Sequence, residues 1–327
     1  MRKKIMLIGT GGTIACKETE DGLMPVLSSA ELLQYVPEAA GLCEIETVQV
    51  FNIDSTNITP EHWKKLAAVI SEKYWDYDGF LICHGTDTMA YTAAALSYMV
   101  QNAAKPITIT GAQKPISSPG SDAIRNLLDS LRFTADERAG GVNVVFSGKV
   151  IRGTRAHKVQ SKSFDAFQSI NYPCPAIIPD GKLRVYIGFQ PQGELRFYSK
   201  LNEKVGVIKL IPGMSPETLD LLLQIYDAAV LETYGVGGIP EIYRAVVEKW
   251  KEQGRIIVVA TQVMNEGSDM SVYEVGKKVK RDLDLMETYD MTIEATIAKL
   301  MWILGQTREE EEVRRMFYRP VNHDIGE

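Results

Sequence analysis

The chain reads as an α/β protein: a larger N-terminal domain with a mainly parallel sheet flanked by helices, plus a smaller C-terminal α/β domain. Three observations carry that expectation. Short apolar runs alternate with segments of helical period through the first half, which is the signature of βαβ units. Between about Asn171 and Leu201 the pattern breaks, with prolines at 173, 175, 179 and 191 and glycines at 181, 188 and 193. A second alternation then resumes. The expected division is residues 1–190 for the first domain, 191–211 for a linker and 212–327 for the second domain, and the 327 residues suffice for a core in each.

Ile5-Met6-Leu7-Ile8 is the first strand. The segment Cys16–Leu27, with Lys17, Glu18, Glu20, Asp21, Gly22 and Pro25, reads as a polar, mobile loop able to order over a ligand. Ile45–Phe51 alternates as a strand does. A helix follows with Thr59 as N-cap, Pro60 at its first position, and Trp63, Leu66, Ala67 and Ile70 on its apolar face. Residues 79–83 make a strand, 88–102 an alanine-rich helix, and Pro106–Thr110 another strand. Asp122–Thr134 is expected as a helix with Ile124, Leu127, Leu128 and Leu131 inward, followed by a strand at Val142–Phe146. The proline-rich connection is expected to hold short hairpin strands such as Leu183–Phe189. Beyond it come strands at Val205–Leu210, Ala228–Glu232 and Arg255–Ala260, with helices from about Pro216, over 239–252 and over 292–304. The charge run Glu309–Arg315 reads as a solvated helix face.

Composition narrows the function classes. A net charge of −6 argues against a nucleic-acid partner, which usually calls for a basic face. Four cysteines (Cys16, Cys43, Cys83 and Cys174) lack paired or metal-type spacing, which fits a reducing compartment. No stretch approaches the length of a membrane span, and Met1-Arg2-Lys3-Lys4 runs straight into a strand without a secretory apolar region. The expectation is a cytoplasmic protein without a membrane partner, in which the acceptor tripeptide Asn57-Ile58-Thr59 stays unmodified.

Two threonine motifs carry the chemistry. Gly9-Thr10-Gly11-Gly12-Thr13-Ile14-Ala15 and His84-Gly85-Thr86-Asp87-Thr88-Met89 each begin where an apolar run ends. In open parallel sheets, ligands bind in the crevice outside the carboxyl ends of the strands. A dinucleotide fingerprint fits the first motif poorly, since Ile14 stands where a third glycine or an alanine is needed. No phosphate-binding Gly-x-x-x-x-Gly-Lys-Ser/Thr sequence occurs. Thr13 is therefore read as a reactive hydroxyl rather than a helix cap. Asp87 or Thr88 can cap the helix starting near Met89, while backbone N–H groups at that start suit a substrate carboxylate or an oxyanion. A threonine needs a base or charge network to become a nucleophile. By composition, Arg155, His157 and Lys158 in Gly153-Thr154-Arg155-Ala156-His157-Lys158 are equal candidates for that supplement.

Taken together, these motifs resemble those of a bacterial L-asparaginase of the threonine amidohydrolase family, of the cytoplasmic kind. Thr110-Gly111-Ala112-Gln113-Lys114-Pro115, Arg152–Lys158 and Tyr234-Gly235-Val236-Gly237-Gly238 extend the match over nearly the whole chain. The resemblance implies that Thr13 attacks the side-chain amide of L-asparagine, forming an acyl-enzyme and releasing ammonia before water releases aspartate. It assigns proton handling to Thr86, Lys158 and Asp87, with Thr86 also positioning water and Asp87 binding the α-amino group. Ser55 is assigned the α-carboxylate with help from Asp54 and Thr56, and the Ala112 carbonyl is assigned the leaving amide. It implies no metal or organic cofactor and a homodimer or homotetramer, in which the smaller domain of one subunit approaches the site of another. Asn265-Glu266-Gly267-Ser268-Asp269 is the loop that this arrangement points to.

Two positions depart from the family pattern. Leu23, in Gly22-Leu23-Met24-Pro25, stands where many relatives have a tyrosine that hydrogen-bonds the nucleophile, and leucine cannot relay a proton. Its replacement is sought in Tyr234, Tyr273 or Tyr289, or in Thr86 and Lys158 alone. Thr56 stands where periplasmic relatives often have glutamine, which leaves glutamine tolerance open. Thr261-Gln262-Val263 lacks the cysteine of the allosteric asparagine site found in some relatives. The alternatives are a broad glutaminase-asparaginase, a transfer-RNA amidotransferase subunit (expected to carry a further N-terminal domain), and a non-catalytic amino-acid or nucleotide sensor on the same scaffold.

Overall fold

The computed structural model describes residues 2–19 and 22–326 and separates into two units, Met1–Ser199 and Lys200–Glu327. The first unit begins with β1 (Lys4–Gly11), β2 (Cys16–Thr19), β3 (Gly22–Pro25), α1 (Ser29–Leu33), β4 (Glu44–Ile53), α2 (Pro60–Lys73), β5 (Gly79–Cys83) and α3 (Met89–Met99). It continues with β6 (Val100–Gln101), β7 (Pro106–Thr110), α4 (Ala123–Thr134), β8 (Gly141–Phe146) and β9 (Lys149–Arg152). The last elements are β10 (Ala156–Lys158), β11 (Phe167–Ser169), β12 (Ala176–Ile177), β13 (Arg184–Val185) and β14 (Arg196–Phe197).

Five parallel strands run in the order β4-β1-β5-β7-β8, and β9, β12 and β13 extend the sheet through antiparallel pairings. Strands β5, β7 and β8 are buried along their whole length, as befits a sheet covered by helices on both faces. After β1 the chain crosses to β4 on one side and then to β5 on the other. That reversal at β1 opens a crevice at the carboxyl ends of β1 and β5, the place where doubly wound sheets take ligands. The two threonine motifs leave the sheet there.

The helices follow from their sequences with instructive exceptions. On α2, Trp63, Leu66, Ala67 and Ile70 are buried, as their spacing predicts. In α3 only Tyr91 escapes burial, and a helix apolar all round is an enclosed one. It stops at Met99 rather than 102, because Val100 turns extended and pairs with Phe197. On α4 the inward face is Ala123, Asn126, Leu127, Ser130, Leu131 and Thr134, while Ile124 is 39% exposed and Leu128 half-buried. The inward face is thus rotated by part of a turn from the expected one. Small polar residues at 126, 130 and 134 face the sheet because each finds a partner there or on the helix itself: Thr134 Oγ1 bonds Thr108 Oγ1 at 2.7 Å, and Ser130 bonds the Asn126 carbonyl at 2.6 Å. In the proline-rich connection, Ala176–Ile177 pairs with Arg184–Val185, and Leu183–Phe189 is not a continuous strand.

The second unit holds a parallel sheet of β15 (Val205–Lys209), β16 (Ala228–Thr233), β17 (Ile256–Thr261) and β18 (Met286–Glu287). Its helices are α5 (Pro216–Ile225), α6 (Arg244–Glu252), α7 (Glu274–Leu283), α8 (Ile293–Gln306) and α9 (Glu310–Tyr318). Helix α9, the charged run, buries Val313 and Phe317. Lys299 of α8 is wholly buried against Asp324 at 2.7 Å. No helix among the described residues is long and apolar enough to cross a membrane.

Candidate active site

The site is assembled by backbone contact. Gly12, with φ 75°, ends the turn after β1, and its N–H donates to the Ile53 carbonyl at the end of β4 at 3.0 Å. A Cβ on Gly12 would lie 2.3 Å from Gly85 Cα, and one on Gly85 would lie 2.5 Å from Ser55 Oγ. Only glycines allow the two turns to approach so closely. Three segments distant in sequence, at Thr13, Ser55 and Thr86, thereby meet at one point. Thr10 reinforces the union by donating its hydroxyl to the Cys83 carbonyl at 2.8 Å.

Beneath Thr86 runs a buried hydrogen-bond chain whose direction chemistry fixes. The Trp63 indole donates to Thr92 Oγ1 at 3.0 Å, and Thr92 Oγ1 meets His84 Nε2 at 2.9 Å. His84 Nδ1 meets the Gly85 carbonyl at 2.7 Å. A carbonyl only accepts, so Nδ1 carries the proton and Nε2 accepts from Thr92. Burial pushes the His84 pKa down to about 4, which keeps the ring in this neutral tautomer. The His84 backbone N–H donates in turn to the Thr110 carbonyl at 2.8 Å, tying the motif to the end of β7.

Lys158 reaches the second threonine from the β10–β11 hairpin. Its Nζ donates to Thr86 Oγ1 at 2.7 Å and to Asp87 Oδ1 at 2.6 Å. Its side chain is 16% exposed and that of Asp87 56%, so the chain runs from a buried hydroxyl outward to solvent. Of the three basic candidates, the geometry brings only Lys158 to Thr86. Arg155 is buried and lies over the Tyr172 ring at 5.6 Å, while His157 takes the opposite face of β10. Neither Asp87 nor Thr88 caps α3: Thr88 Oγ1 donates to the Ser55 carbonyl at 2.8 Å, and Asp87 takes Lys158.

The remaining candidates fall around this centre. Thr13 begins a short 3₁₀ turn, Thr13–Ala15, and is half-buried. No hydrogen bond to its hydroxyl is found among the described residues. Ser55 is buried at the start of another such turn, and Asp54 Oδ1 accepts from both the N–H and the hydroxyl of Thr56 at 2.8 Å. Ala112 is fully buried in the loop after β7. That loop is clamped by Asp122, whose carboxylate accepts from Gln113 N at 3.0 Å and Lys114 N at 3.2 Å. Asn126 Nδ2 donates to the Gly111 carbonyl at 3.0 Å.

One expectation is corrected and one residue was overlooked. The segment after Thr13 is not an irregular loop: Cys16–Thr19 and Gly22–Pro25 pair as an antiparallel hairpin. Glu20, Asp21 and the side chain of Leu23 lie outside the described residues. Tyr234, Tyr273 and Tyr289 belong to the second unit, where Tyr289 packs on Tyr318 at 5.8 Å. Sequence reading gave Gln113 no role, yet its Oε1 lies 3.2 Å from Thr86 Oγ1. Its position next to Ala112 was the available signal.

Comparison with known proteins places both halves of the chain in one family. Residues 4–189 match the N-terminal asparaginase domain, and residues 204–317 match the glutaminase/asparaginase C-terminal domain. An L-asparaginase of Thermococcus kodakarensis is 41% identical over 98% of this chain and 99% of its own. A glutamyl-tRNA(Gln) amidotransferase component of Pyrococcus abyssi is 36% identical over 96% of this chain and 74% of its own. The solved structure of the thermostable L-asparaginase from Thermococcus kodakarensis superposes with a TM-score of 0.92 at 40% identity, covering 99% of both chains. With both domains matched and a relative this similar over its full length, the chain belongs to the asparaginase family and is a hydrolytic enzyme of it.

Proposed function

We propose that the enzyme hydrolyses L-asparagine to L-aspartate and ammonia, with Thr13 as nucleophile. The observation that carries this reading is the Thr86–Lys158–Asp87 chain set beside a Thr13 hydroxyl that has no hydrogen-bond partner among the described residues. A hydroxyl bonded to no cation keeps its nucleophilicity, whereas an ammonium on the oxygen lowers that of the remaining lone pair. In this mechanism Thr13 Oγ bonds to the side-chain amide carbon. Its proton passes to the amide nitrogen, which leaves as ammonia. A water held by Thr86 then adds to the Thr13 ester while one of its protons moves toward the ester oxygen. The ester oxygen takes a proton back, and aspartate leaves. Asp87 supplies a carboxylate for the substrate α-amino group, and Ser55, with the turn capped by Asp54 and Thr56, supplies donors for the α-carboxylate. The Ala112 carbonyl accepts from the leaving amide. The first unit serves as the catalytic domain and the second, whose sheet already includes Val205–Lys209 of the 191–211 stretch read as a linker, as the smaller domain, and the chain works as a cytoplasmic homo-oligomer of the bacterial type.

The test is ammonia release from asparagine and from glutamine over a concentration series, with Thr13→Ala as control. Turnover that survives in Thr13→Ala removes the nucleophile assignment. The amidotransferase relatives favour a second reading, in which ammonia serves a partner enzyme. Robust asparagine turnover by the chain alone speaks against it.

A further inference from the structure

Thr86 Oγ1 has one proton and two lone pairs, and the structure fixes where the proton and one lone pair go. Lys158 Nζ, 2.7 Å away, is an ammonium that only donates, so it consumes one lone pair. On the other side stands the Gln113 side-chain amide. Its Nε2 faces two backbone carbonyls, Ser163 O at 3.1 Å and Gln160 O at 3.5 Å. Carbonyls only accept, so that end of the amide is the NH₂ group and the end facing Thr86 is the oxygen. The Oε1–Oγ1 separation is 3.2 Å, and Thr86 must be the donor. The loop that carries Gln113 is itself held by the Asp122 carboxylate, which accepts from Gln113 N at 3.0 Å.

We infer that Gln113 is a positioning residue that sets the polarity of the Thr86 hydroxyl: by taking its proton, Gln113 leaves Thr86 only a lone pair to offer a substrate-side water. A water facing that lone pair must point a proton at Thr86, which turns its own lone pair toward the acyl carbon. Gln113 touches no reacting atom and acts only through Thr86. The inference rests on the reading that Thr86 positions the deacylating water.

Two substitutions separate this role from mere support of the 159–166 loop. Gln113→Leu removes both the acceptor for Thr86 and the donor to Ser163. Gln113→Glu, once ionised, restores the acceptor and still lacks the donor. With the wild-type chain turning over asparagine, kcat of Gln113→Leu is expected to fall about 10- to 100-fold, below the 10²–10⁴-fold that a proton-handling group itself supplies. Its KM is expected to hold within about threefold, and the acyl-enzyme should accumulate in quenched samples read by intact mass. For Gln113→Glu, kcat should climb with pH through the new carboxyl's ionisation, from about pH 4 upward, toward the wild-type value. An unchanged kcat in Gln113→Leu overturns the inference, as does equal impairment of both variants at every pH. A wild-type chain that releases no ammonia overturns the functional reading and this inference with it.

Discussion

Acidifying the protein tests the buried chain beneath Thr86, because His84 is held neutral in the fold and is free to charge when the chain unfolds. Its pKa is about 4 in the fold against 6.5 for the free side chain, and burial is the leading cause. The sign follows from proton counting. Between those two values the unfolded chain binds a proton that the folded chain refuses, so the contribution is fully present above pH 6.5 and is lost as the pH falls toward 4. Each pKa unit is worth about 1.4 kcal/mol, and going from pH 7 to pH 5 should cost about 2 kcal/mol through this one ring. The assay is urea denaturation followed by tryptophan fluorescence at pH 7, 6 and 5, at fixed protein concentration because association shifts apparent stability. The reference is His84→Asn, which keeps a donor toward the Gly85 carbonyl and cannot titrate. Paired carboxylates such as Asp220 and Asp282, held low by Lys249 and Arg244, titrate alike in both chains and cancel in the difference. Wild type should therefore lose about 2 kcal/mol more than His84→Asn over this range. Parallel losses would show that His84 charges readily in the fold, and the direction assigned to the Trp63–Thr92–His84–Gly85 chain would fall with it.

Three further outcomes follow. Lys158→Met should leave Thr86 without its cation and lower kcat about 10²- to 10⁴-fold while asparagine still binds, read by steady-state kinetics and by calorimetric titration; an unchanged rate means that the ammonium takes no part in turnover. Gly85→Ala drives a methyl to within 2.5 Å of Ser55 Oγ, so thermal unfolding should register about 1–3 kcal/mol of overpacking together with a raised KM for asparagine. Wild-type values for both would show that the turn yields easily. In the second unit, Lys299→Met removes the cation facing the fully buried Asp324 carboxylate, and chemical denaturation should show about 3–5 kcal/mol lost; a loss under about 1 kcal/mol would show that the ion pair adds little beside the Val321 N–H bond to Asp324.

Much of this site was legible because it is built on local signals at strand ends. The runs before Gly9 and His84 are apolar for four or five residues and stop at glycine and threonine, so both the strands and the crevice beyond them could be read. The face of α2 was legible for the same reason, since Trp63, Leu66, Ala67 and Ile70 keep one period. What escaped depends on partners far away in sequence. Arg155, His157 and Lys158 are basic side chains within four residues of one another, and only the hairpin with Phe167–Ser169 turns one of them toward Thr86. The role of His84 is set by Thr92 eight residues later and by Trp63 on another helix. Helix α7, Glu274–Leu283, was missed because its charged residues obscure the few apolar ones that pack. Ile124 was misplaced because small polar residues, satisfied by Thr108 and by the helix itself, took the inward positions its hydrophobicity suggested.

The two threonines are close to interchangeable as sequence, each following glycine at the end of a buried strand. Their hydrogen bonds tell them apart. Thr86 is committed on two sides, accepting from Lys158 at 2.7 Å and donating to Gln113 at 3.2 Å. An ammonium bonded to this oxygen draws electron density from its remaining lone pair and so lowers its nucleophilicity. Thr13 bears no such bond to any described residue, and the Gly12–Gly85 contact fixes its turn against that of Thr86. An oxygen with free lone pairs suits the step in which a bond to carbon forms, and one with a fixed proton suits the step in which a water must be aimed. The division of labour proposed for them would follow from which loops each strand end meets, and exchanging Gln113 for a side chain without an acceptor is the change that should blur it.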